Sequence, residues 1–358
     1  MRKHLNLIQF SRALVPLFVM LLHAKAFMAN YFHYDFLHLP HVARSGGVYY
    51  FFALSGFMVY YLYHKDFGNH GKVKDYLYKR FMRIYPLYWI LTLIILPVYF
   101  IFPSLGTGNE REVGHIFASL LLYPDGEYPI LSVAWSLSHT IFFYIIFSLA
   151  FFEKKIVSML IPFAWGFISL LFSLELLKSS YYFINYLFSF NNLIFLSGVA
   201  CAYLVTRIKV NVVLSRIMVF VGLVGFPLSW VNEEYGYINL NLQLTTTISS
   251  ILLIIGFSSI DLQKEISIPK FARFLGDASF SIYLTHFTCM SAFSIFLSTI
   301  SFVRIPNFLI SILLIVFSII CGSSVYVLLE KPLNKKLKDL YNKKKKISSR
   351  GESSFLKV

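Results

Sequence analysis

Apolar residues along this chain come in long unbroken runs separated by short polar connections. Ten runs, at roughly 7–27, 47–63, 84–103, 132–152, 156–177, 182–205, 212–231, 243–260, 277–299 and 306–330, each approach the length of a membrane span, which needs ~20 residues. The pattern predicts an all-α fold: a polytopic membrane helix bundle of about ten transmembrane helices over residues 1–331, followed by a basic tail at 332–358. The longest connection, 104–131, holds a short apolar run of its own, Ile116–Tyr123. It is expected to dip back to the surface as a lid or short helix, and connections this long usually carry function. No internal repeat is visible.

Composition excludes the alternative of two soluble domains. The 358 residues are 57% hydrophobic and 14% charged, with 38 Phe and 24 Tyr, where soluble domains are about 45–50% apolar and about 25% charged. The net charge of +15 is not a nucleic-acid footprint, because in a membrane protein the side on which Lys and Arg collect carries the information. With the N-terminus placed in the cytosol, 26 basic residues fall on the cytosolic side and four (Arg44, Arg111, Lys178, Arg304) outside, while Arg12 and Lys25 lie in the first run. This partition predicts both termini in the cytosol. The tail, with Lys343–Lys346, is expected to lie along anionic membrane lipid at ~1 kcal/mol per basic residue. Cys201, Cys289 and Cys321 have no metal or disulfide spacing, and the loop histidines His33, His38 and His41 match no zinc pattern, so no metal is expected. Arg2, Lys3 and the Ala24-Lys25-Ala26 sequence also permit a cleavable signal peptide, which basic-residue parity does not decide.

Two constellations carry chemistry. Arg12 and His23 are eleven residues apart, which returns both to one helix face with a rise of ~16 Å. An ionisable residue inside a span points by default to function and to the bundle interior, and a neutral imidazole can take a proton from a hydroxyl. Arg80 and Arg83 share a face at the cytosolic entrance of the third span, in Arg80-Phe-Met-Arg-Ile-Tyr-Pro-Leu-Tyr-Trp89. Guanidinium forks suit phosphate, and the interleaved aromatics are candidates for stacking on a nucleotide base; positive-inside anchoring is the plainer reading of the same residues. Gly276-Asp-Ala-Ser279 is read as a helix opening, with Asp277 or Ser279 as N-cap.

Taken in order, these motifs resemble the integral-membrane acyltransferase 3 family. Arg12-x10-His23 is similar to its first-span signature, and Gly47-Val-Tyr-Tyr-Phe-Phe-Ala-Leu-Ser-Gly56-Phe57 to its second. The Arg80–Trp89 stretch resembles its third, and Trp135-Ser-Leu-Ser-His139 through Phe143-Tyr144 its fourth. Phe274–Ser279 running to Tyr283-Leu-Thr-His286, with Glu330-Lys-Pro332, resembles the C-terminal signatures. The resemblance spans almost the whole chain.

It implies ten spans in a bacterial inner membrane and transfer of an acyl group, often acetyl from acetyl-CoA, to a hydroxyl of an envelope saccharide such as O-antigen or exopolysaccharide, free or lipid-linked. Acyl-CoA is then a co-substrate, and no tightly bound cofactor is expected. His23, with Arg12, inherits the catalytic role, which counts against cleavage of the first run. Arg80 and Arg83 inherit binding of the acyl donor, and Trp135, His139, Tyr144 and His286 are candidates for catalytic support. One departure stands out. Many members carry Glu five positions after the fourth-span tryptophan, where this chain has Thr140. A carboxylate that would orient the imidazole is missing there, so either His139 substitutes or the activity is altered. The rival reading is a transporter or flippase of lipid-linked saccharides, for which inverted repeats and broken helices would be expected; neither is evident in the sequence.

Overall fold

The computed structural model describes residues 3–152, 155–299 and 305–355. Arg2, Lys154, Arg304 and Lys357, which enter the charge partition, lie outside the described residues. Among the described residues the regular structure is all helix, with no strand, and eight helical stretches there are long and apolar enough to cross a membrane. The second run forms α2 (Gly47–Tyr63) at 17 residues, and the fifth contributes the shorter apolar segment Leu160–Ser173 of α6 (Lys155–Ser173).

The first helix, α1 (Asn6–Phe32), begins without a cap of its own. The Asp261 carboxylate, from α10 (Leu242–Gln263), accepts the backbone N–H groups of Leu7 (2.8 Å) and Ile8 (3.1 Å). An anion from a distant helix thus satisfies the orphan donors at the positive end of α1. At the other end the Lys25 ammonium, though buried, donates to the Pro40 and Val42 carbonyls at 3.0 Å each and ties the 33–46 connection to α1. Ala24 and Lys25 are therefore packed within the bundle, while Ala26 is exposed.

Small residues let the helices close on one another, as packing in lipid requires. A Cβ on Gly56 of α2 would lie 1.8 Å from the Phe195 carbonyl oxygen of α8 (Phe190–Arg207), and one on Gly198 would lie 1.7 Å from that of Ala53. The two backbones touch at both glycines. Gly276 of α11 (Lys270–Thr299) meets α1 in the same way, 2.4 Å from the Gln9 carbonyl. This helix starts at Lys270, directly after Pro269, so Gly276–Ser279 lies two turns inside it. The N-cap reading of Asp277 and Ser279 is corrected: their polar groups serve neighbouring side chains, because the helix extends past the apolar run into its basic flank.

The 104–131 connection contains the short helix expected of it, α4 (Val113–Leu121), with Val113, Phe117 and Leu121 exposed and its C-terminal end held against α3 (Val73–Ile101). Its terminal carbonyls, which no helix satisfies internally, accept from α3: Tyr88 OH to Ser119 O (2.7 Å), Trp89 Nε1 to Leu120 O (2.8 Å) and Tyr85 OH to Leu121 O (2.8 Å). Tyr85 stands ~18 Å along α3 from its start, so α4 reaches mid-helix before the chain turns back. Three of the motif's aromatics, Tyr85, Tyr88 and Trp89, supply these caps. The sixth run is broken. The helix α7 (Tyr182–Leu187) stops before α8, and the freed Leu187 carbonyl accepts from Trp165 Nε1 (2.9 Å) and Asn192 Nδ2 (2.8 Å). Beyond them run α5 (Trp135–Ser148), α9 (Val212–Tyr235) and α12 (Asn307–Val325), and the last continues through a π-helical turn, Tyr326–Glu330, into α13 (Lys331–Phe355). Pro332 offers no N–H to the carbonyl four residues back, and the widened turn accommodates it.

Candidate active site

Two cavities lie back to back in the bundle. The first, about 410 Å³, holds the arginines: Arg12 from α1, Arg80 and Arg83 from α3, with Thr140 and Tyr144 of α5. The second, about 760 Å³, holds His23 of α1 with Trp135 and His139 of α5. Val48 and Tyr283 line both. The eleven-residue spacing of Arg12 and His23 therefore does what helical periodicity predicts: one face of α1 presents a cation to the first cavity and an imidazole to the second.

In the arginine cavity, Arg12 donates to Gln9 Oε1 and Ser279 Oγ, both at 3.2 Å, and Gln9 Nε2 donates to Asp277 Oδ1 at 2.6 Å. The chain Asp277–Gln9–Arg12–Ser279 aims the guanidinium. Close by, the buried carboxylate of Glu330 accepts from Ser281 Oγ at 2.5 Å, and Arg12 and Arg83 both act on it electrostatically. The π-helical turn that carries Glu330 is the kind of irregularity found at functional sites.

The two arginines of α3 have different surroundings. Arg80 is only 6% exposed, its guanidinium 5.1, 5.3 and 5.9 Å from the ring centres of Tyr63, Tyr144 and Tyr76. That tyrosine cage holds it by cation–π attraction. Its Nε has no hydrogen-bond partner among the described residues. Arg83 is exposed and opens into the cavity. Sequence periodicity paired them on one face but could not distinguish a caged cation from one open to the cavity.

In the histidine cavity, His139 Nε2 meets Asn191 Nδ2 at 3.1 Å, and Asn191 Oδ1 accepts from Gln243 Nε2 at 3.1 Å. The His139 ring lies flat on Tyr186, centroids 4.1 Å apart. Asn191 and Gln243 were not anticipated; nothing local in the sequence brings residues 52 apart to one imidazole. His23 packs edge-on against Phe287 and lies 5.2 Å, centroid to centroid, from His286. Arg44 and Glu127 are the charged residues that line this cavity.

Thr140 corrects one sequence expectation. It donates to the Ser136 carbonyl at 2.9 Å and faces the arginine cavity, whereas its neighbour His139 faces His23's. A carboxylate at position 140 would line the cavity of Arg12, Arg80 and Arg83 and not that of His23. His139 therefore shares a cavity with His23, but it does not fill the place of the absent glutamate. Of the other candidates, Trp135 meets His139 edge-on at 5.9 Å, Tyr144 belongs to the Arg80 cage, and His286 lies behind the lining of both cavities, 1% exposed.

Between the cavities the Tyr283 hydroxyl donates to the Val133 carbonyl (2.9 Å) and lies 2.7 Å from Ser136 Oγ. These bonds hold the ring across the boundary. The sequence pattern contained Tyr283 without marking its role.

A family model described as an acyltransferase domain matches residues 6–327. Comparisons with curated proteins and with solved structures give no match.

Proposed function

The chain belongs to the acyltransferase 3 family, and from that premise we propose that it is a membrane O-acyltransferase moving an acyl group, acetyl in the first instance, from acyl-CoA to a hydroxyl of a cell-envelope saccharide. The observation that carries this reading is the pair of cavities, one cationic and one neutral with a histidine, meeting at Val48 and Tyr283. An acyl-CoA brings phosphates, which suit Arg83 and the aimed Arg12. A sugar hydroxyl suits the second cavity, whose lining is rich in tyrosine and includes Trp135, with few charges.

In this mechanism His23 takes the proton of the acceptor hydroxyl as its oxygen attacks the thioester carbonyl. The C–O bond forms, the tetrahedral intermediate collapses, and the C–S bond breaks to release the CoA thiolate. The proton on His23 then passes to the thiolate or to solvent, leaving an ester and free CoA. Aligning donor and acceptor across one boundary supplies the proximity on which such transfers depend.

We further read the bundle as ten spans in a bacterial inner membrane with both termini cytosolic, from the 26-to-four partition of basic residues. On that reading the arginine cavity opens toward cytosolic acyl-CoA and His23 lies nearer the outside, where envelope saccharides are built.

The test is release of thiol from acetyl-CoA by the purified full chain in proteoliposomes, together with mass analysis of surface glycans from cells with and without the protein. A glycan mass difference of one acyl group, lost in His23→Ala, is the expected result. Saccharide movement across the membrane without thiol release would instead favour a flippase and overturn the proposal.

A further inference from the structure

Among the described residues no hydrogen bond or ion pair joins His23 to a carboxylate, and position 140 lines the other cavity. A base that must present one nitrogen to a hydroxyl is ordinarily held by a third group at the other nitrogen. The ring beside it is His286, on α11, whose Nδ1 lies 2.6 Å from the Tyr283 carbonyl. A carbonyl only accepts, so Nδ1 carries the proton and Nε2 presents a lone pair. That Nε2 is buried and has no hydrogen-bond partner among the described residues. His286 lines neither cavity, so a substrate hydroxyl does not reach it. Its ring centre lies 5.2 Å from that of His23. An N–H···N contact of ~2.9 Å between two imidazoles, joined edge to edge, separates their centres by about this much.

We propose that His286 is the positioning residue of His23: its Nε2 accepts the N–H of His23 when the rings rotate into line, fixing the tautomer that leaves the opposite nitrogen of His23 free as the base. No hydrogen bond joins the rings in this structure, and the spacing needs side-chain rotation only. The arrangement rests on the reading of His23 as base. It gives the orphaned Nε2 a partner and uses Tyr283 twice over, its ring at the cavity boundary and its carbonyl to set the tautomer behind the base. Once His23 is protonated, the same lone pair stabilises the imidazolium without itself gaining a proton.

Two variants separate positioning from packing. His286→Asn keeps an N–H for the Tyr283 carbonyl but withdraws the acceptor from His23; His286→Gln reaches the Nε2 position with an amide oxygen that accepts. The readout is kcat and KM for acetyl-CoA by thiol release from the full chain in proteoliposomes made with bacterial lipid extract. His286→Asn is expected to lower kcat by between about 10-fold and about 10⁴-fold, the upper figure being the loss when a catalytic histidine is held in the wrong tautomer. KM should stay within about twofold, because the interaction is not made with the acyl donor. His286→Gln should recover most of kcat, and His286→Asn combined with His23→Ala should be no worse than His23→Ala alone. A structural role predicts the reverse order, Asn above Gln. If His23→Ala is inactive while His286→Asn keeps full kcat, the pairing is wrong and the base assignment survives. If His23→Ala stays active, the base assignment itself fails.

Discussion

At the scale of single residues, burial separates side chains that the sequence makes look alike. Arg80 and Arg83 differ by one turn of α3, yet one is caged by tyrosines and the other opens into the cavity. Arg83→Ala is expected to raise KM for acetyl-CoA by roughly 10- to 150-fold, from loss of one charged hydrogen bond at ~1.5–3 kcal/mol, with the melting temperature unchanged. Arg80→Ala should instead lower the melting temperature as well, because removing the cation leaves three rings around a void. Arg80→Lys should not rescue it, since an ammonium lacks the planar face that lies along the rings. Thermal unfolding in detergent, run beside the kinetics, checks both; a cavity arginine whose loss left KM unaltered would be only a topological anchor. The sequence made the pair visible through spacing, but the cage draws on Tyr63, Tyr76 and Tyr144 from three helices, and no local pattern encodes that.

At the scale of elements, hydropathy located nearly every long helix, because a run of apolar side chains in lipid has few alternatives to helix. It failed where the deciding interaction is polar and distant. The docking of α4 depends on three hydrogen bonds from α3 to its terminal carbonyls. An apolar run of eight residues at 116–123 does not say against which helix, or how far along it, its end is held. The break between α7 and α8 likewise depends on Trp165 and Asn192 reaching the Leu187 carbonyl. Glycines give the sharpest test of the packing. Gly56→Ala is expected to cost ~1–3 kcal/mol or more, since the added methyl would stand 1.8 Å from a backbone oxygen that cannot rotate away. Gly114→Ala, in α4, meets nothing within 4 Å and gains helix propensity of ~1 kcal/mol, so it should be neutral or stabilising. Equal behaviour of the two in thermal unfolding would contradict the contact between α2 and α8.

At the scale of the whole molecule, the charge partition and the two cavities make separate claims. A cytosol-only reporter fused after Val358 should be active and one inserted at Asp125 silent; the opposite result at either site would sink the ten-span arrangement. The cavities claim more: on the proposed reading the acyl group crosses where they adjoin, at Val48 and Tyr283, which line both. Tyr283 is fixed by the Val133 carbonyl and Ser136, so Val48 is the side of the gap that substitution can move. Val48→Trp should close it. Acetyl-CoA should then still bind, with an unchanged Kd by calorimetry, while turnover falls to the level of His23→Ala. Val48→Ala should widen the gap by two methyl groups and shift preference toward longer chains, raising kcat/KM for butyryl-CoA relative to acetyl-CoA. Discrimination of about 10- to 200-fold per methylene is what an apolar wall can exert, so a ratio that does not move would mean that the acyl group takes another route. Weakened binding of acetyl-CoA in Val48→Trp would mean that Val48 belongs to the acyl-donor cavity alone and forms no passage.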